Sequence, residues 1–298
     1  MNKYVFGLLV VITTALMGSS FAIGKIALTY ISPLLLNAIR FIIAGTIIAG
    51  VIIYIKKPHP RSVKDWCIIG LIGLFQTTAV MSFIFMSLNT IPASQSSILT
   101  FINPLLVIVF STFFLKTRYQ LRHWCGVILG FIGVFITLDG QLDFQTGTLL
   151  SLLAAVSWAI ATILIKVFGK RFDLWVLTGY QMLFGGLFLL LFSFLFEEQT
   201  LILTPASISL TLWLAIMASV VQFTIWFYLL QKGDPGKTSA FLFLAPFFGV
   251  FFGWLLLEEI LYVTTLIGGS FILLGIFLVN WNGKQNAVQA EHKAAKII

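Results

Sequence analysis

Runs of about twenty apolar residues, separated by short connections rich in turn formers, recur from one end of this chain to the other. A helix rises about 1.5 Å per residue, so a run of that length covers the hydrocarbon core of a bilayer. Ten such runs are readable: 4–27, 34–55, 66–88, 93–115, 122–139, 147–168, 174–196, 208–230, 238–257 and 262–281. The connections carry Ser32-Pro33, Lys57-Pro58-His59-Pro60 and Lys232-Gly233-Asp234-Pro235-Gly236, and none is long enough to hold a domain outside the membrane. Composition agrees. Of 298 residues, 59% are hydrophobic and 9% charged, and mean hydropathy is +1.05. A soluble domain is about 25% charged, so this chain has too little charge for a polar skin. In lipid every backbone polar group must be satisfied internally, which a helix does by itself. The expected fold is an all-α membrane protein of ten transmembrane helices.

The formal net charge of +8 suggests nucleic acid only until the basic residues are placed. Lys3; Lys56, Lys57, Arg61 and Lys64; Lys116, Arg118 and Arg122; Lys166, Lys170 and Arg171; Lys232 and Lys237; and Lys284, Lys293 and Lys296 all fall on one side of the ten-span pattern. They make up sixteen of the 18 Lys and Arg. Asp139, Asp143, Glu197, Glu198, Glu258 and Glu259 fall on the other side, with Lys25 the one basic residue near them. Basic loops stay in the cytoplasm, so both termini are expected there, in a cell-membrane protein with a cytoplasmic tail over 282–298. A miscounted span would scramble this alternation. Met1-Asn2-Lys3 and the apolar run behind it read as the first span rather than a signal peptide, since so many similar runs follow. Cys67 and Cys125 lie near cytoplasmic helix ends and make neither a disulfide framework nor a metal spacing.

The chain also resembles itself. Ser97-Ile98-Leu99-Thr100-Phe101-Ile102-Asn103-Pro104 matches Ser239-Ala240-Phe241-Leu242-Phe243-Leu244-Ala245-Pro246, 142 positions on. At that offset Gly126 falls on Gly268 and Gly133 on Gly275. Near 141, Lys25 falls on Lys166, Met17 on Trp158 and Gly45 on Gly186. Five spans is an odd number, so the second set must cross the membrane in the opposite sense. Two inverted repeats are a transporter architecture in which the halves exchange conformations around a site near the midplane. A duplicated scaffold without transport is the bland alternative.

Met17-Gly18-Ser19-Ser20-Phe21 with Lys25, Ser32-Pro33 with Arg40-Phe41, Trp158, the paired Pro104 and Pro246, and Glu258 carry a resemblance to the drug/metabolite transporter superfamily, EamA type. Met17 departs from the Trp frequent there in that family, and Lys116 from the Glu frequent at its position. The resemblance covers residues 4–281 and implies two EamA-like five-helix repeats, 4–139 and 147–281. It further implies a central cavity lined mainly by the first, third, fourth, sixth, eighth and ninth helices, and export of amino acids or related metabolites.

Polar side chains in hydrocarbon must face protein or water, so they mark the interior. The expected substrate-binding set is Gln76, Ser96, Thr100, Asn103, Trp158, Ser219, Gln222, Trp226 and Arg40. Ser96, Thr100 and Asn103 share a helical face beside Pro104, whose missing N–H frees a carbonyl near Thr100 for substrate, solvent or a neighbouring side chain. Helix-to-helix hydrogen bonding is the competing role for that face. Ser219, Gln222 and Trp226 share another face, where an amide beside an aromatic ring suits an amphipathic organic ligand. Trp158 is cavity wall or packing. Arg40 either snorkels outward or faces the cavity mouth and meets an anionic group. The pairs Gly126/Gly130 and Gly249/Gly253 serve close helix packing, within the bundle or between monomers.

Several chemistries are excluded or disfavoured. No carboxylate lies deep in a span, which weakens proton coupling through one. Glu258 is the residue best placed to dip inward; an outer-surface charge is its plainer role. His59, His123 and His292 are scattered over loops and tail, and neither a zinc-protease nor a phosphate-loop motif is present. No enzyme, cofactor or metal is expected. The partners expected are a small-molecule substrate and the bilayer, without nucleic acid, in a monomer or homodimer. A channel or membrane enzyme is the alternative function, although no filter-like repeat appears.

Overall fold

The computed structural model describes residues 3–116, 119–137, 145–232 and 244–280. In chain order the helices are α1 (Lys3–Ala27), α2 (Pro33–Tyr54), α3 (Val63–Ser87), α4 (Ala93–Leu115), α5 (Leu121–Thr137), α6 (Thr146–Phe168), α7 (Leu174–Phe196), α8 (205–232), α9 (Leu244–Leu257) and α10 (Val263–Asn280). α1 to α4 and α6 to α8 are long and apolar enough to cross a membrane; α5, α9 and α10 are apolar but shorter. No strand occurs among the described residues, only an isolated bridge between Ile31 and Leu201. Arg118, Asp139, Asp143, residues 233–243 with Lys237 and the Ser239–Phe243 part of the repeat, and the tail with Lys284, His292, Lys293 and Lys296 lie outside the described residues.

Two helices are irregular in the same way. α3 contains a π turn over Leu74–Ala79 and α8 another over Ile216–Val221, at the position that the sequence repeat pairs with the first. Such turns widen the backbone and occur often at functional positions. α4 is interrupted between Thr100 and Asn103. Pro104 cannot donate to the carbonyl four residues before it, and the chain re-closes with Ile102 N donating to Leu99 O and Leu105 N to Ile102 O.

Glycines let particular helices touch, and the contacts are reciprocal. A Cβ built on Gly45 of α2 would lie 2.6 Å from Leu183 N of α7, and one on Gly186 would lie 2.7 Å from Ile42 N. A Cβ on Gly126 of α5 would lie 2.6 Å from Gly275 O of α10, and one on Gly133 2.5 Å from Gly268 O. In each case the second contact is the first with both residues moved to their counterparts in the repeat. Gly249 faces Ser97 of α4, and Gly253 faces Glu259 and Ser94. Both glycine pairs of the sequence therefore act inside the bundle.

Helix ends are fixed by carboxylates. Glu197, after α7, accepts from Leu34 N (2.9 Å) and Leu35 N (3.1 Å) at the start of α2. Glu259, after α9, accepts from Ser94 N (3.0 Å) and Ser94 Oγ (2.7 Å) at the start of α4. Each meets otherwise unpaired N–H groups and the positive end of a helix dipole. At the other end of the α2–α7 pair, Lys57 Nζ donates to Asp173 Oδ2 at 2.9 Å. Burial pushes the Asp173 carboxyl up, but hydrogen bonds from Lys57 and Trp175 N outweigh it and hold the group below its ordinary value.

Candidate functional site: a central pocket around Arg40

α1, α2, α3, α4, α6 and α8 converge on a small internal pocket. Met17, Ser20 and Phe21 come from α1, Arg40 from α2, Gln76 and Phe85 from α3, Phe101 from α4, Trp158 from α6, and Ala218, Gln222 and Phe223 from α8. Each irregular backbone feature borders it. Gln76 and Ala218 lie in the two π turns, and Phe101 is the residue at the break in α4. The volume is about 50 Å³, room for one or two waters, whereas a drug-sized ligand fills about 300–1,000 Å³. A ligand of that size would fit only if the helices moved.

Arg40 is the charged group in the lining and is 2% exposed. Its Nε donates to Ser219 Oγ at 2.9 Å and its Nη2 to Ala218 O at 3.0 Å. The π turn of α8 presents both acceptors. The guanidinium also lies 4.8 Å from the Phe41 ring centroid and 5.9 Å from that of Phe85. Its Nη1 is buried without a partner, and so is Nε2 of Gln222. No salt bridge reaches Arg40 among the described residues. Of the two roles expected of Arg40, snorkelling does not match this placement: the side chain is buried and lines the pocket.

The matching position of the other half is quieter. Gln181, the counterpart of Arg40 in the repeat, accepts at Oε1 from Thr77 Oγ1 at 2.7 Å. Thr77 is in turn the counterpart of Ser219. One half thus carries an amide and a hydroxyl where the other carries a guanidinium and a hydroxyl.

Of the expected substrate set, Arg40, Gln76, Trp158 and Gln222 line the pocket, and Ser219 supports it through Arg40. Trp158 packs on Phe101 at 5.5 Å between ring centroids, and Phe101 on Phe21 at 6.2 Å. Ser96 lies elsewhere, bonded to Ser87 Oγ (2.7 Å) and Ser151 Oγ (3.1 Å) where α3, α4 and α6 meet. Thr100 and Asn103 are buried but outside the lining, and Trp226 is half-buried outside it. Phe101, between Thr100 and Ile102, is what α4 presents. Its partner in the sequence repeat, Phe243, was the available signal. None of the described residues of α9 lines the pocket; Gly18 brings it against α1, where a Cβ would lie 2.6 Å from Ala245 O. α2 takes its place in the wall. Lys25 lies outside the lining; its Nζ donates to Ile91 O at 2.9 Å and lies 3.5 Å from Glu259 Oε1. Glu259, rather than Glu258, turns inward; Glu258 is exposed with φ +52°. A larger, almost wholly apolar groove of about 380 Å³ between α9, α10 and Ile98 offers no charged group.

The fold is that of a multi-pass membrane protein, and comparison with known proteins places it in a family. The EamA-like transporter family model matches twice, over residues 5–139 and 145–281. The chain belongs to that family, within the drug/metabolite transporter superfamily, and is a transporter rather than an enzyme. It is 30% identical to an uncharacterized transporter of Bacillus subtilis, YvbV, over 97% of each chain. It is 27% identical to an uncharacterized transporter of Archaeoglobus fulgidus, over 91% of this chain and 96% of that one. A chloroplastic WAT1-related protein of Arabidopsis thaliana is 30% identical over 89% of this chain and 66% of its own length. A solved crystal structure with 20% identity shares the fold, with a TM-score of 0.67 over 91% of this chain and 96% of that chain.

Proposed function

We propose that the protein is a secondary transporter that exports small polar or amphipathic metabolites, amino acids or related compounds, across the cell membrane by alternating access. In this reading ten spans form two inverted repeats, 4–139 and 147–281, with both termini and the 282–298 tail in the cytoplasm. The substrate site is the Arg40 pocket. The observation that carries the reading is the position of that pocket: it is bordered by two π turns that occupy counterpart positions in the repeat, and two of its lining residues, Arg40 and Gln222, carry buried donor nitrogens without partners. The reciprocal glycine contacts support two exchangeable halves, because a contact set that repeats with the halves swapped lets one half adopt the other's conformation at little cost. The small volume suits an occluded stage better than an open pore.

The test compares intracellular and extracellular metabolites in cells with and without the protein, then measures counterflow of the candidates in proteoliposomes. Saturable, trans-stimulated flux is the expected result. Unsaturable conductance would establish a channel instead.

A further inference from the structure

We propose that the Arg40 pocket binds organic monocarboxylates bearing an aromatic or bulky apolar body, with the substrate carboxylate as the missing counter-charge of Arg40. This deepens the transporter reading above and rests on its choice of site.

A guanidinium removed from water loses several kcal/mol of solvation unless it is paired. Here Nε and Nη2 are satisfied by neutral oxygens, which orient the group without neutralising it. Nη1 keeps an unused donor, and the Gln222 amide adds a second. No carboxylate lines the pocket among the described residues. Of the carboxylates at helix ends, Glu259 is already held by Ser94 and Lys25, and Glu197 by Leu34 and Leu35. A single buried cation with a partnerless Nη1, lining the same pocket as a partnerless amide nitrogen, suits a single anion with two acceptor oxygens, which a carboxylate supplies. Around it stand Phe21, Phe101 and Trp158, packed ring on ring, a surface suited to an apolar or aromatic body rather than to a sugar or a polyanion. A cationic substrate would meet the like charge of Arg40 away from bulk solvent and be repelled.

The experiment uses the purified full-length protein in lipid nanodiscs, with binding read by calorimetry and Trp fluorescence. The probes are benzoate, phenylacetate, phenylacetamide and phenylethylamine, in chloride and in chloride-free buffer. At least one acid should bind saturably, about 10- to 100-fold more tightly than phenylacetamide, as expected for a charge-assisted hydrogen bond. Phenylethylamine should not compete. Arg40→Gln should erase the preference for acid over amide. Because it also removes an unneutralised buried charge, it should leave the protein monodisperse and no less heat-stable; Arg40→Lys keeps the charge and should keep part of the preference. Equal binding of acid and amide, binding of the amine, binding of chloride alone, or binding of no acid would overturn the proposal. Acid preference that survives Arg40→Gln would do the same. The two readings fail separately. Counterflow of a neutral or cationic metabolite without acid binding removes this inference and keeps the transporter. Acid binding without flux of any acid keeps the inference and removes the transport cycle.

Discussion

Arg40 shows how one side chain can organise a site. Its position in an apolar run marks it as costly, but its neighbours decide its role. Ser219 Oγ and Ala218 O hold the guanidinium in place, so changes there should act through orientation. Ser219→Ala leaves Nε without its acceptor. We expect about 1 kcal/mol of lost stability for a neutral hydrogen bond, or somewhat more with a charged donor. Thermal unfolding in detergent would read the stability, and a raised half-saturation in counterflow would show that positioning is affected. Gln222→Leu keeps the volume and removes the free amide. It should weaken substrate affinity without lowering thermal stability, since the Nε2 donor has no partner to lose.

Between helices, close approach and end-capping carry the packing. Gly126 and Gly275 let α5 and α10 meet backbone to backbone. Gly126→Val places side-chain atoms where Gly275 O and Val279 already stand, and overpacking of this kind costs about 1–3 kcal/mol or more. We expect a large loss of monodisperse protein by fluorescence-detected size exclusion. Gly50→Val is the control, because a Cβ there meets nothing within 4 Å. The Lys57–Asp173 link gives a pH signature. A carboxyl held below its unfolded value stabilises fully above that value, and the contribution is lost as pH falls through the lowered one. Wild type should therefore melt above Asp173→Asn at neutral pH, and the gap should close below about pH 4, the unperturbed Asp value. A gap independent of pH would mean that the link contributes packing rather than charge.

With all the helices taken together, orientation in the membrane is the property most open to test. Cys67 and Cys125 are both free and exposed, and both are expected near the cytoplasmic face. A membrane-impermeant maleimide should label them in inverted vesicles and not in intact cells. Labelling from outside would overturn the proposed topology. The same pair can report on alternating access, since substrate should change labelling rates only if the halves move around the pocket.

Much of the architecture was legible in the sequence because the physics behind it is local. An apolar run of about twenty residues is a helix in lipid whatever surrounds it. The constant offset between the halves is equally a property of the string. The choice among polar side chains was not local. Ser96 and Thr100 look as suitable as Gln76 and Gln222 when only helical faces are counted, yet Ser96 is spent on Ser87 and Ser151. The break at Pro104 was foreseeable; that it would present Phe101 to the pocket depended on how α4 is rotated against α3 and α6. Likewise Arg40 reads as a surface-seeking charge until α8 opens a π turn opposite it. The order of residues was enough to make this chain helical, lipid-embedded and internally repeated. Which polar groups satisfy one another, and which are left without a partner, was decided only when the helices packed, because hydrogen bonds between helices depend on rotation and depth that no single helix encodes.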